Sequence, residues 1–158
     1  MTTEKNTTTE DKQEFAISRI YVKDQSFEAP ETPGIYQKPW NPDLKIQLQV
    51  KHTKMADDAY EVVLQLTATV HSEGAVAFLA EVHQAGIFIM RNFQESDIHR
   101  LVGQICPNIL YPYARVVISE MVTHASFPSL YLAPVNFESL YEQQLRQQAN
   151  SQPISVDG

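Results

Sequence analysis

The sequence predicts an α+β domain: a four-stranded antiparallel sheet followed by two helices packed on one of its faces. Two observations carry this. Apolar and polar residues alternate in segments through the first half of the chain, and apolar residues recur at helical spacing through the second. The order β-β-β-β then α-α places the helices together on one sheet face.

The first strand, Phe15 to Val22, mixes β-branched and aromatic residues. The second, Leu44 to Val50, alternates cleanly, with Leu44, Ile46, Leu48 and Val50 on one side and Lys45, Gln47 and Gln49 on the other. Tyr60, Val62, Leu64, Leu66, Ala68 and Val70 repeat the pattern in the third. In the fourth, Val76 to Met90, residues Val76, Phe78, Ala80 and Val82 share one side. Such alternation marks antiparallel strands with one core face. Residues 55–59 (MADDA) and 71–74 (HSEG) are short enough for hairpin connections.

Val63, Ala77 and Leu79 put apolar groups on the face that should be wet. A sheet apolar on both faces is covered on both, so a second subunit is expected there. Periodicity does not choose between a sandwich of sheets and one of helices. The stretch Ile89 to Gln94 reads equally as strand or loop.

Ser96 can cap a helix carrying Ile98, Leu101, Val102 and Ile105, and the spacing resumes at Ile109, Tyr113, Val116, Val117 and Met121. Pro107 and Pro112 interrupt it, which predicts a kink or two consecutive helices. Asn136 can cap a shorter helix with Phe137, Leu140, Tyr141 and Leu145 on one side.

The length of 158 residues suits one domain, and the 43% hydrophobic content suits a globular one. Residues 1–13 and 147–158 are too polar to offset their ordering entropy and are expected to be disordered tails, leaving a domain over 14–146. Nineteen acidic residues oppose twelve basic ones, for a net charge of -7. That balance favours basic partners and disfavours nucleic acid. The polar N-terminus has no secretory h-region, and no apolar run nears the ~18 residues of a membrane span. One cysteine, Cys106, precludes an internal disulfide and fits a reducing compartment. A cytoplasmic protein is expected, without membrane insertion.

Chemistry is mostly missing. The five glycines form no phosphate loop, and the five histidines (His52, His71, His83, His99, His124) lack metal-ligand spacing, so neither cofactor nor metal is expected. Cys106 and His99 share a helix face but lie ~10 Å apart along it, too far for a nucleophile and its base. Glu95 and Asp97 read as ordinary first-turn acids. No enzyme activity is expected.

Two segments are unusual. Phe27 to Leu44 (FEAPETPGIYQKPWNPDL) carries prolines at 30, 33, 39 and 42 among Phe27, Tyr36 and Trp40. It cannot be an inner strand, and its aromatic content argues against disorder. Phe127 to Phe137 (FPSLYLAPVNF) is a second proline-bounded apolar stretch. Either could seal the core beneath. Two stiff aromatic loops also suit a groove that binds apolar segments with little side-chain specificity. Its expected lining is Phe27, Tyr36, Trp40, Leu44, Tyr131, Phe137 and Tyr141, between the loops and the second helix.

The stretches RIYVKDQSFEAP (Arg19 to Pro30), DDAYEVVLQLT (Asp57 to Thr67), AFLAEVHQAGIF (Ala77 to Phe88), CPNILYPYAR (Cys106 to Arg115) and FPSLYLAPVNFESLY (Phe127 to Tyr141) resemble the SecB family, over about 15–146. Ala80 stands where family members can carry Cys, and Ile89 to Gln94 is bulkier than the corresponding family segment. The resemblance implies a dimer of dimers and an ATP-independent chaperone that keeps unfolded secretory precursors translocation-competent. It also implies delivery to the translocation ATPase SecA, whose basic parts dock on acidic surface. It maps SecA docking onto Asp24, Glu28, Leu79 and Glu81, and packing between dimers onto Ala80, Val82 and Gln84. Asp24 and Glu28 share a face of the first strand if it runs on past Val22. Competing readings are a SecB-like chaperone dedicated to one antitoxin, a small-ligand binding module, and an enzyme using Cys106.

Overall fold

The computed structural model describes residues 12–151. Its elements run β1 (Glu14–Glu28), a 3-10 turn (Gly34–Gln37), β2 (Pro42–Ala56), β3 (Ala59–Ser72), β4 (Ala75–Arg91), α1 (Glu95–Arg100), a π turn (Leu101–Ile105), α2 (Cys106–His124) and α3 (Phe137–Ser151). The four strands form one antiparallel sheet in the order β1-β4-β3-β2. The expected fold class is therefore present. The disordered tails expected over 1–13 and 147–158 fall mainly outside the described residues. Within them, the Lys12 carbonyl accepts a 2.7 Å hydrogen bond from Asn92 Nδ2, and α3 runs to Ser151, so ordered structure extends past 146.

Every strand is longer than its alternation suggests. Pro42 can open β2 because β2 is an edge, where a missing donor is tolerated. The β3–β4 hairpin turns on Glu73 and Gly74, both with positive φ (53° and 77°), the backbone a tight hairpin needs. β4 carries on to Arg91, so the link is strand up to that point.

One face of the sheet holds the core. Tyr60, Val62, Leu64, Leu66, Ala68 and Val70 of β3 and Phe78, Ala80, Val82, Phe88 and Met90 of β4 are buried beneath α2. Ala80, Val82 and Gln84 thus lie on this covered face, and the first two are wholly buried within one protomer. The packing between dimers that the resemblance maps onto these three meets a correction at Ala80 and Val82, which their own chain already covers, while Gln84 borders the exposed side of α2. The opposite face mixes apolar residues, among them Val63, Leu79, Ala85, Ile87 and Ile89, with polar ones such as Glu61, Gln65, Thr67 and Glu81.

α1, the π turn and α2 form one continuous helical run. Ser96 is not the cap: the helix begins one residue earlier, after Gln94, without a side-chain capping bond. At the π turn the Cys106 N–H reaches back to the Leu101 carbonyl. That wider turn makes room for Pro107, whose ring would otherwise press on the carbonyl four residues earlier. The stripe against the sheet is Val102, Cys106, Leu110, Ala114, Ile118 and Val122. Of the stripe expected from spacing, Val102 lies in this row, Ile98, Leu101, Ile109, Val117 and Met121 pack partly against the core at its edge, and Tyr113 and Val116 face outward at 51% and 54% exposed. A helix apolar on two faces cannot be oriented from its own periodicity. Asn136 does cap α3, its Oδ1 accepting the Ser139 N–H at 3.0 Å.

Candidate functional site: an aromatic wall and a half-open strand

The end of α2 builds the site. Ser126 takes a left-handed conformation (φ 64°), its N–H meets the Thr123 carbonyl, and the Phe127 N–H meets the Val122 carbonyl. This pair of bonds is a Schellman motif, which turns the chain sharply off the helix. It aims Phe127 back into the domain, where the ring is 7% exposed. Around it stand Phe78 at 5.1 Å between ring centroids, Tyr36 at 5.4 Å, Trp40 at 5.7 Å and Phe27 at 6.5 Å. Tyr36 Oη donates to the Ala125 carbonyl at 2.6 Å, tying the first loop to the helix end.

Trp40 is held from the other side. The Asn41 N–H donates to Ser72 Oγ at 3.0 Å, that hydroxyl faces the Pro39 carbonyl at 3.4 Å, and Asn41 Nδ2 donates to Glu73 Oε1 at 2.6 Å. The 3-10 turn buries Ile35 beneath the loop. The inner side of this loop closes the core, and its outer side stays open at Tyr36, which is 50% exposed.

Beside this wall, β2 turns Leu44, Ile46, Leu48 and Val50 toward the helix side, in register with Val70, Ala68, Leu66 and Leu64. α2 lies over β4 and β3, and the β2 stripe remains only partly covered, with Leu44 41% exposed. The result is an apolar strip with an aromatic wall. It can take an extended apolar segment by burial alone, without specific side-chain readout.

The expected lining residues divide. Phe27, Tyr36 and Trp40 come together, but Phe27 sits in β1 and Leu44 in β2, not in the loop between them. Tyr131 is 83% exposed, in the second loop beside Arg115, Val116 and Glu120 of α2. Phe137 is 4% exposed and packs edge-on against Tyr111, so it belongs to the core. Tyr141 anchors α3 on the π turn: its hydroxyl is 2.6 Å from His99 Nδ1, and a Cβ added at Gly103 would come within 2.7 Å of its ring. Phe127, the hub of this wall, and Ile46, Leu48 and Val50 of β2 beside it are not among the expected residues. Phe127 begins the second aromatic loop, and the β2 stripe was visible in the alternation; what was hidden was that α2 lies over β3 and β4 and leaves that stripe only partly covered.

On the opposite face the strand register assembles a charged corner. Glu28 pairs with Leu79, Ser26 with Glu81, and Asp24 with His83. The register slips between Val22 and Asp24, so Asp24, Ser26 and Glu28 share the outer face with Leu79 and Glu81. Farther along that face Lys23 Nζ is 2.7 Å from Glu61 Oε1, and Tyr21 Oη donates to Glu61 Oε2. The hydrogen bonds from Lys23 and Tyr21 hold the Glu61 carboxyl below its ordinary range, against the upward pull of burial. Burial, with Glu61 beside it, pushes the Tyr21 phenol up to about 12.

Cys106 is wholly buried, and burial pushes its thiol up to about 12, so it stays protonated at neutral pH. His99 is engaged by Tyr141 rather than by the thiol. Among the described residues no group of three or more His, Cys, Asp or Glu is placed to hold a metal, and no helix is long and apolar enough to cross a membrane.

Residues 8–148 match the SecB family, described as preprotein translocase subunit SecB. The chain is 55% identical over 137 residues to a protein-export protein SecB of Idiomarina loihiensis, covering 86% of this chain and 82% of that protein. It is 47% identical over 148 residues to the protein-export protein SecB of Pseudomonas fluorescens, covering 92% and 93%. Among solved structures, a Mycobacterium tuberculosis SecB-like chaperone in complex with a ChAD peptide from the HigA1 antitoxin shares the fold. That likeness has a TM-score of 0.59 at 16% identity, over 77% of this chain and 87% of the other.

Proposed function

The chain belongs to the SecB family of protein-export chaperones, and from that premise we propose that it is an ATP-independent cytoplasmic holdase that delivers unfolded precursors to SecA. The observation that carries the holding step is the half-open β2 strip beside the Phe127 cluster. A holdase that binds only the unfolded chain shifts folding toward that state by RT ln(1 + [L]/Kd). Slow-folding precursors stay open long enough to be caught, so selection needs no sequence motif. A dedicated antitoxin chaperone is the less favoured reading, because the relatives at 47–55% identity are export proteins.

Docking on SecA belongs to the outer corner of Asp24, Glu28, Leu79 and Glu81. A net charge of -7 suits a basic partner. Assembly as a homotetramer is supported by the second apolar face of α2. Tyr113, Val116, Val117 and Pro112 there border Ile20, Val22 and Gln84. Gln84 is 2% exposed; its Nε2 donates to the Tyr21 carbonyl, while its Oε1 is buried without a hydrogen-bond partner. An exposed apolar face with an unsatisfied amide at its rim is what a second copy would cover.

The test is to dilute a denatured, slow-folding secretory precursor into buffer with the chain and no nucleotide. Suppressed aggregation, with a stable complex of the tetramer and precursor by light scattering, is the expected result. A stable monomer at micromolar concentration, or no retention of the precursor, defeats the reading. Native pull-down returning one antitoxin instead of many precursors selects the dedicated-chaperone alternative.

A further inference from the structure

His83 stands inside the acidic corner. Its Nε2 is 3.6 Å from Glu81 Oε1, and across the β1–β4 pair it is in register with Asp24. Across the other pair it faces Gln65, with Gln49 of β2 next in the row, so β3 and β2 bring no charge beside it. On β1, Lys23 sits in the bulge just before Asp24, a cation next to the His83 pair, and its Nζ is drawn to 2.7 Å from Glu61; Tyr21, opposite Ala85, engages the same carboxylate. Glu81 is otherwise bound only by Thr67 Oγ1, at 3.1 Å, among the contacts of the described residues. The imidazole side chain is a quarter exposed, so both protons and a partner can reach it.

We propose that His83 makes docking on the basic partner responsive to pH, by competing with that partner for Glu81 and Asp24. The proposal rests on the reading of this corner as the SecA-docking surface. Histidine is the side chain whose ordinary titration falls between about pH 5 and 8. Neutral His83 leaves both carboxylates to a basic partner. Protonated His83 pairs with Glu81, cancels part of the charge at the centre of the corner, and repels the incoming cation. Linkage makes the effect reciprocal: a bound cationic partner disfavours protonation of His83. Holding of precursors, on the other side of the sheet, carries no such dependence on His83.

The test measures SecA affinity of the intact assembly at about pH 6 and about pH 8, at constant ionic strength. One exposed pair corresponds to about threefold in affinity. The parent chain is expected to bind about threefold more weakly at the lower pH. His83→Gln should lose the His83 component of that ratio, keep only what SecA's own groups contribute, and bind at about pH 8 as tightly as the parent. His83→Lys, which carries the charge permanently, should bind weakly at both. Each variant is checked for unchanged assembly mass and precursor binding. A His83→Gln variant with the parent's pH ratio, a parent with no pH dependence, or a His83→Lys variant that binds as tightly as the parent at about pH 8 overturns the proposal. Charge reversal at Asp24 and Glu81 separates the two failures. If reversal leaves SecA binding intact, the docking surface is misassigned and the proposal falls with it. If reversal abolishes binding while His83→Gln keeps the parent's pH ratio, the switch alone is wrong.

Discussion

The two faces of the sheet solve different problems with different physics. The helix side is apolar, anchored on Phe127, and left unfinished over β2. The outer side carries cross-strand charges and amides such as Glu81, His83 and Gln65. Burial is non-directional and is not screened by salt, so the first face tolerates varied segments. Charge contacts are screened and depend on which carboxylates sit where, so the second face suits one partner. Holding and handing over should therefore fail independently under mutation.

The largest effect is expected at the hub. Phe127→Ala leaves a cavity against Phe78 and Trp40 and should cost about 3 kcal/mol by denaturant unfolding. A loss below about 1 kcal/mol would mean that the aromatic cluster does not hold the wall together. Next, Gly103→Ala forces a methyl group into the Tyr141 ring and should cost about 1–3 kcal/mol, with loss of amide protection confined to α3. Protection lost evenly across the domain would contradict the anchoring role of Tyr141.

Asp24→Lys with Glu81→Lys should weaken SecA binding at least about tenfold, or about 1.4 kcal/mol, and leave precursor binding and assembly mass intact. Docking in the parent should also weaken as salt rises. If precursor binding falls in parallel, the two faces are not separate. Trp40→Ala, on the other face, should lower precursor affinity by about 1 kcal/mol without touching SecA. Trp40 is the sole tryptophan, so its fluorescence should change when a precursor binds.

The smallest effect concerns the outer face alone. Glu61, held below its ordinary value of 4.5 by Lys23 and Tyr21, contributes stability present above that value and lost as pH falls through its folded value. Tyr21, raised to about 12, contributes stability present below its ordinary 10.0 and lost as pH rises toward about 12. Glu61→Gln should cost less than about 1 kcal/mol at neutral pH and flatten the acid arm of the stability curve. An unchanged acid arm would show that the Lys23–Glu61–Tyr21 contacts do not couple to folding.

The sequence by itself determined the strands, the order of elements, the cap at Asn136 and the proline-bounded character of both aromatic loops. These are local: alternation, a side-chain acceptor three residues from its donor, and prolines act within a few residues of one another. The outer corner was half legible: the even spacing of Asp24 and Glu28 puts them on one face of a strand continuing past Val22, but only the register slip between Val22 and Asp24 makes that the outer face. Only the tertiary structure decided which face of α2 meets the sheet, because that helix is apolar on two sides and the stripe from Val102 to Val122 wins by fitting β3 and β4. It also decided that Ala80 and Val82 are covered by their own chain, that Phe137 and Tyr141 serve packing, and that Phe127 is the hub. Each of these depends on strand order and on how far a helix reaches across a sheet. Those are contacts between residues tens of positions apart, which periodicity along the chain does not encode.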